Sequence, residues 1–129
     1  GYSHEEGVSV VRPGKTGAEE IQQMMINFRA NPPKEIDGSP VVLIKDYGDL
    51  NCTDTRTNTV TKMDFPTTSN VLQYFTEDGT KVSIRPSGTE PKIKFYIEVH
   101  DKMADLADYD RCNRDAVAKI ARVKKHLGI

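Results

Sequence analysis

The sequence has almost no net charge. Its 129 residues carry 18 Lys and Arg against 19 Asp and Glu, which leaves -1 at pH 7. There is no global basic field to draw in nucleic acid, so any anion site must be a local cluster. Aromatic residues are few, 7%, which also speaks against a base-stacking surface. Cysteine is nearly absent too. Cys52 and Cys112 show neither CxxC nor zinc-ligand spacing, and reduced thiols are the simpler reading, with one disulfide left open. No apolar run approaches the roughly 20 residues that span a bilayer, and no signal-peptide pattern opens the chain. These absences set the expectation of a cytoplasmic domain without nucleic-acid or membrane partners.

What is present suits a small α+β domain. Hydrophobic residues make up 36% and charged residues 29%, enough for a modest core and too ordered a mixture for wholesale disorder. The length fits one domain over 1–129. The opening at Gly1 reads as a piece of a longer chain, with 1–6 as residual linker. The polar stretch 47–70 reads as a loop region, in which threonines at 53, 55, 57, 59 and 61 suggest an exposed edge strand or ribbon.

Periodicity places the remaining elements. Gly7 to Val11 is a short strand candidate. Thr16-Gly17-Ala18-Glu19 has capping-box spacing, and Ile21, Met24, Met25 and Phe28 follow on one helical stripe. Asn31-Pro32-Pro33 ends that helix. Val41 to Ile44 reads as a buried strand. Val71 to Thr76 and Lys81 to Arg85 flank Asp78-Gly79, which predicts a type I′ hairpin turn. Lys92 to Val99 is the clearest strand: Ile93, Phe95, Ile97 and Val99 fall on one face, and Lys92, Lys94, Tyr96 and Glu98 on the other. A final helix carries an interrupted stripe of Leu106, Tyr109, Ala116, Ile120, Val123 and Leu127. Acidic residues stand at its start, basic ones at its end, and Gly128 stops it. His100 and His126 read as surface residues, because no ligating cluster surrounds them.

One segment combines the residue types that hold an anion. If the strands around it pair antiparallel, Arg85 and Lys94 flank the loop Pro86-Ser87-Gly88-Thr89-Glu90-Pro91 on the same non-core face. Arginine offers a planar fork to phosphate oxygens and lysine a point charge. Ser87 and Thr89 supply hydroxyls, Gly88 permits a tight turn and close approach, and successive amides can form a concave anion site. The prolines stiffen the loop's ends. Read on composition alone, the same segment is also a plain polar turn between two strands.

The stretch Lys81 to Glu98, KVSIRPSGTEPKIKFYIE, strongly resembles the C-terminal domain of the α-D-phosphohexomutases, and its continuation after the loop is most similar to the phosphoglucomutase/phosphomannomutase branch. Gly17-Ala18-Glu19-Glu20-Ile21 and Tyr74 to Thr80 extend the likeness, which runs from about Glu5 to Val99. The resemblance implies a TATA-box-binding-protein-like α+β fold, with an antiparallel or mixed sheet and two main helices packed on one face. It implies substrate phosphate binding by Arg85, Ser87, Gly88, Thr89 and, on weaker correspondence, Lys94. The parent would be an isomerase, an intramolecular phosphotransferase that interconverts hexose 1- and 6-phosphates through a bisphosphorylated intermediate. Its partners would be a hexose phosphate and the other domains of the parent chain. The family's Ser-His-Asn, Asp-x-Asp-x-Asp and Gly-Glu-Glu-Ser motifs do not occur in this sequence. No catalytic or metal residue is therefore assigned, magnesium would be bound by another domain, and the isolated domain is expected to be inactive. The alternative is a stand-alone anion-binding or domain-docking module.

Overall fold

The alternation at Lys92 to Val99 becomes the strand around which the molecule is built. The computed structural model describes residues 1–129. Its elements run β1 (Tyr2–Val11), α1 (Gly17–Ala30), β2 (Glu35–Ile36), β3 (Ser39–Asp46), β4 (Asn51–Asp54), β5 (Thr59–Lys62), β6 (Leu72–Thr76), β7 (Lys81–Pro86), β8 (Lys92–Asp101), a 3-10 turn (Leu106–Asp108) and α2 (Tyr109–Leu127). The strands pair antiparallel in the order β1-β8-β7-β6-β3-β4-β5, and β2 pairs with β3. Ile93, Phe95, Ile97 and Val99 on β8 are buried, as are Val82 and Ile84 on β7 and Leu72 and Tyr74 on β6. They form one core with Ile21 and Met25 of α1 and with Cys112, Ala116, Ile120 and Val123 of α2. Both helices thus cover one face, and the other is open. This is the α+β arrangement expected of a TATA-box-binding-protein-like domain.

The stripe on α1 packs as its spacing predicts. Phe28 meets Phe95 edge to face, with centroids 5.7 Å apart, a geometry that the ring quadrupoles favour. The Tyr74 hydroxyl donates to the Phe28 carbonyl at 2.7 Å, which satisfies a buried polar group near the helix's last turn. Burial pushes the Tyr74 phenol up. Gly128 takes the left-handed conformation and its N–H donates to the Lys124 and Lys125 carbonyls, closing α2 as glycine caps do. No helix is long and apolar enough to cross a membrane.

Several expectations are corrected. Residues 2–6 are not linker: Tyr2 to Val11 pair residue for residue with Asp101 to Lys92. His4 and Glu6 lie on the half-buried, helix-facing side, where Glu6 meets Lys124 at 3.2 Å. Polar residues on the inner face erase the alternation that would have revealed the strand. Within region 47–70 the ribbon suggested by the threonine alternation is present, as half-buried β4 paired with exposed β5. Thr16 makes no side-chain cap, so the capping box does not form. Leu106 is 84% exposed; it belongs to the separate 3-10 turn, and Cys112 takes the first inward position of α2 instead.

The type I′ turn falls at a different Asp-Gly pair from the one expected. At Asp78-Gly79 only the glycine has positive φ, +90°. The Gly79 N–H donates to the Thr76 carbonyl at 3.1 Å and the Thr76 N–H to the Thr80 carbonyl at 2.9 Å. That is a three-residue turn with a glycine bulge, not type I′. Asp37-Gly38, joining β2 to β3, has positive φ at both positions, 50° and 78°, and is the two-residue primed turn.

Asp78 ties this turn to the rest of the fold. Its carboxylate accepts from the Thr76 hydroxyl, from the Thr80 amide at 3.2 Å and hydroxyl at 3.0 Å, and from Lys119 on α2. Its own N–H donates to Ser39 Oγ at 3.1 Å. Burial alone would raise its pKa, but Lys119 and the threonines outweigh it and hold the carboxyl at about 2, against 3.8 ordinarily. The folded value lies below the unfolded one, so this stabilisation is complete above about pH 4 and fades as pH falls through about 2. Asp78→Asn should therefore lower the thermal midpoint near neutral pH, and the gap to the parent chain should close towards pH 2. A gap that stays constant with pH would show that the charge of Asp78 contributes nothing.

Candidate functional site

The β7–β8 connection is held at both ends. The Ser87 N–H donates to the Lys92 carbonyl at 2.8 Å, and the Arg12 N–H donates to the Pro91 carbonyl at 2.9 Å. Gly17 makes the second anchor possible. A Cβ there would stand 1.7 Å from the Arg12 carbonyl oxygen and 3.3 Å from the Pro91 Cβ, so the start of α1 can approach the loop only without a side chain. The tip is closed by its own serine. Ser87 Oγ accepts from the amides of Thr89 at 3.3 Å and Glu90 at 3.2 Å. Between 87 and 90, only the Gly88 amide has no acceptor.

Arg85 and Lys94 are register partners. Both lie on the open face, as the parity of their strands requires. Ser9 on β1 stands across from Lys94 on its other side. Neither cation forms an ion pair. The carboxylate-bound cations are Arg12, Arg29, Arg56, Arg111, Lys119, Arg122 and Lys124, none of which stands on β7 or β8. Ser87, Gly88 and Thr89 border a cleft of about 740 Å³ between the loop and α1, with Gln22, Met25 and Arg29 on its far wall. Arg85 and Lys94 do not line that cleft. The five predicted residues thus fall into a loop tip and a basic pair on the sheet, joined through Pro86.

Gly88 differs from its expected role in one respect. Its φ is not positive, so the turn does not need glycine for its backbone. A Cβ at Gly88 would meet nothing within 4 Å. The position is bare outward, which leaves close approach as the reason for glycine. Sequence reasoning missed Gly17 as part of the loop's support, although it lies in a segment that carries the resemblance.

Other polar candidates stay outside the site. His100 is exposed and lies 3.0 Å from Glu98; His126 is exposed. No group of three or more metal-ligating side chains occurs. Both cysteines are free. Burial pushes the Cys112 thiol up, which disfavours the thiolate a nucleophile needs.

Residues 25–116 match the family model of the phosphoglucomutase/phosphomannomutase C-terminal domain. The chain belongs to that family. It is 40% identical over 95 residues to a phosphoglucomutase of Staphylococcus aureus strain MRSA252, covering 74% of this chain and 16% of that protein. With the phosphoglucomutase of strain MSSA476 it shares 38% identity over 86 residues, 67% of this chain and 15% of the other. The chain therefore spans about one sixth of the curated relatives it matches. The crystal structure of pp63/parafusin, a phosphoglucomutase from Paramecium in its open form, overlaps 95% of this chain and 21% of its own. The TM-score is 0.35 and the identity 13%, a level at which no residue correspondence is drawn.

Within this phosphoglucomutase-type domain Gly88 in the loop and Gly17 at the start of α1 should separate cleanly by stability. Gly17→Ala should cost about 1–3 kcal/mol, as overpacked sites do, because backbone must move to admit the methyl group. Gly88→Ala should stay within about 0.5 kcal/mol of the parent chain, as open surface positions do. Chemical denaturation of both variants reads this directly, and a Gly17→Ala variant as stable as the parent would disprove the anchoring role.

Proposed function

We propose that this domain grips the phosphate of a hexose phosphate on behalf of a phosphoglucomutase/phosphomannomutase. The observation that carries the reading is the Arg85–Lys94 register pair: two unpaired cations on one face beside a loop with an outward-bare glycine. Family membership supports it. In this reading a phosphate oxygen takes the place of Ser87 Oγ as acceptor for the Thr89 and Glu90 amides. The freed Ser87 hydroxyl then donates to the phosphate, as do the Gly88 amide and the Thr89 hydroxyl. Arg85 supplies the bidentate fork and Lys94 the point charge.

The parent enzyme would be an isomerase that moves a phosphoryl group within the sugar by way of a bisphosphorylated intermediate. This domain's part is positional. Holding the phosphate that does not react fixes the reacting oxygen and turns binding energy into orientation. A site centred on phosphate accepts either end of the sugar, since both ends carry phosphate in the intermediate. The nucleophile and magnesium would belong to other domains of the parent, and the isolated domain would not turn over substrate.

Charge-assisted hydrogen bonds contribute about 1.5–3 kcal/mol each, and three or four exceed the association cost only modestly. The isolated domain should bind inorganic phosphate or glucose 6-phosphate at about millimolar Kd. Amide shifts in an NMR titration should centre on Ser87 to Thr89; shifts elsewhere, or none at high ligand, would refute the reading. In the full-length enzyme Arg85→Ala should lose about tenfold or more in kcat/KM, equivalent to about 1.4 kcal/mol. Arg85→Lys should also be impaired, because it lacks the fork.

A further inference from the structure

The sheet ends on its longest strands. β1 pairs with β8 over ten residues without a register shift and has no strand on its other side. Such an edge is a row of backbone donors and acceptors open to another strand. The usual guards are short length, proline or a bulge, and β1 has none of them. The opposite edge differs: β5 has four residues and ends at Lys62. One of the charges on β1 is already engaged, since Glu6 meets Lys124 at 3.2 Å and His4 at 3.4 Å.

The helix above this edge is apolar where it overhangs. Asn113 accepts from the Tyr2 hydroxyl at 2.9 Å and Lys124 reaches Glu6, so both stand on the flank of α2 that faces β1. Val117 lies between them at helical spacing, four residues after Asn113 and seven before Lys124, and therefore on the same flank. It is 46% exposed, and Ala121 one turn on is exposed too. The opposite flank carries the ion pairs, Lys119 to Asp78 and Arg122 to Asp37. Val117 stands about 6 Å along the helix from Asn113. That is about two residues of strand, the level of His4.

We propose that this edge pairs antiparallel with the same edge of a second copy of the chain, about a two-fold axis at His4. Two distances agree with that partner. α2 packs on both β8 and β1, so its axis lies about half a strand spacing inside β1, and the two-fold lies half a spacing outside. The two α2 axes are then about two strand spacings apart, about 10 Å, and helices pack at about 8–10 Å. Val117 of each copy meets its counterpart across the axis. Charge selects the register. Centred on His4, Ser3 faces Glu5, Tyr2 faces Glu6 and Gly1 faces Gly7. Centred on Glu5 or Glu6, the pairing would set like charges opposite each other, which is destabilising. Centred on Gly7, it would carry the helices past each other and leave Val117 uncovered. Residues 8–11 and the anchored loop lie outside the contact, so phosphate binding does not enter into it.

Sedimentation equilibrium of the 129-residue chain tests this. The weight-average mass should rise from one chain towards two between about 10 µM and 1 mM, the range of small interfaces. Over the same range the β1 amides that point away from β8 should exchange more slowly with deuterium. Val117→Asp places a charge against its own counterpart and should weaken association at least about tenfold; its thermal midpoint checks that it folds. Val60→Asp on the β5 edge should associate like the parent chain. A single-chain mass throughout would overturn the proposal, as would a Val117→Asp variant that associates like the parent. Association lost in Val60→Asp and kept in Val117→Asp would place the contact on β5 and overturn it equally.

Discussion

The period of two along β8 is the constraint from which the rest follows. Ile93, Phe95, Ile97 and Val99 must lie under the helices, because nothing else covers that much apolar surface. Lys92, Lys94, Tyr96 and Glu98 are thereby committed to the open face. The neighbouring strands inherit the choice through register. Val82 and Ile84 stand across from Ile97 and Phe95, which leaves Arg85 across from Lys94. A slip of one residue would expose the core of β8 and bury its lysines. The site therefore needs no separate device to bring its two cations together: the same hydrophobic alternation that folds the sheet places them side by side.

Ion pairs on the helix side fasten elements together. Arg122 of α2 clasps Asp37 in the β2–β3 turn at 2.8 and 3.0 Å, Lys119 holds Asp78 in the β6–β7 turn, and Lys124 reaches Glu6 on β1. Each such pair, partly exposed, contributes about 0–1 kcal/mol, and its value lies more in fixing α2 over three separate parts of the sheet. On the open side Lys45, Lys81, Arg85, Lys92 and Lys94 have no such partners. A net charge of -1 conceals this local row of unpaired bases.

The hydrophobic alternation also explains what was legible beforehand. Strands with apolar residues on one face, β6, β7 and β8, were readable along with the α1 stripe, and so was the side on which Arg85 and Lys94 lie. β1 was only half visible, because His4 and Glu6 point inward and are accommodated by their surroundings rather than by apolarity. The two Asp-Gly turns could not be told apart from the dipeptide: the flanking register decides whether two or three residues make the loop, and register is a tertiary property. The same holds for Gly17, whose need for a bare Cα arises from a carbonyl five residues earlier, at Arg12.

The loop's own hydrogen bonds bear on how cheaply it could take a ligand. Its ends are fixed by the Ser87–Lys92 and Arg12–Pro91 bonds, so ordering them on binding costs little. At its tip only the Gly88 amide has no acceptor; those of Thr89 and Glu90 are held by Ser87 Oγ. Ser87 Oγ occupies the place where an anion's oxygen would sit. Exchanging that oxygen for a phosphate oxygen requires the serine to turn about one bond, with the backbone kept as it is. In the proposed reading a charged phosphate oxygen would be the stronger acceptor, which favours the exchange. In the proposed reading serine at this position would serve both states: it holds the amides in place when the loop is empty and would become a donor to a bound phosphate. Alanine could do neither.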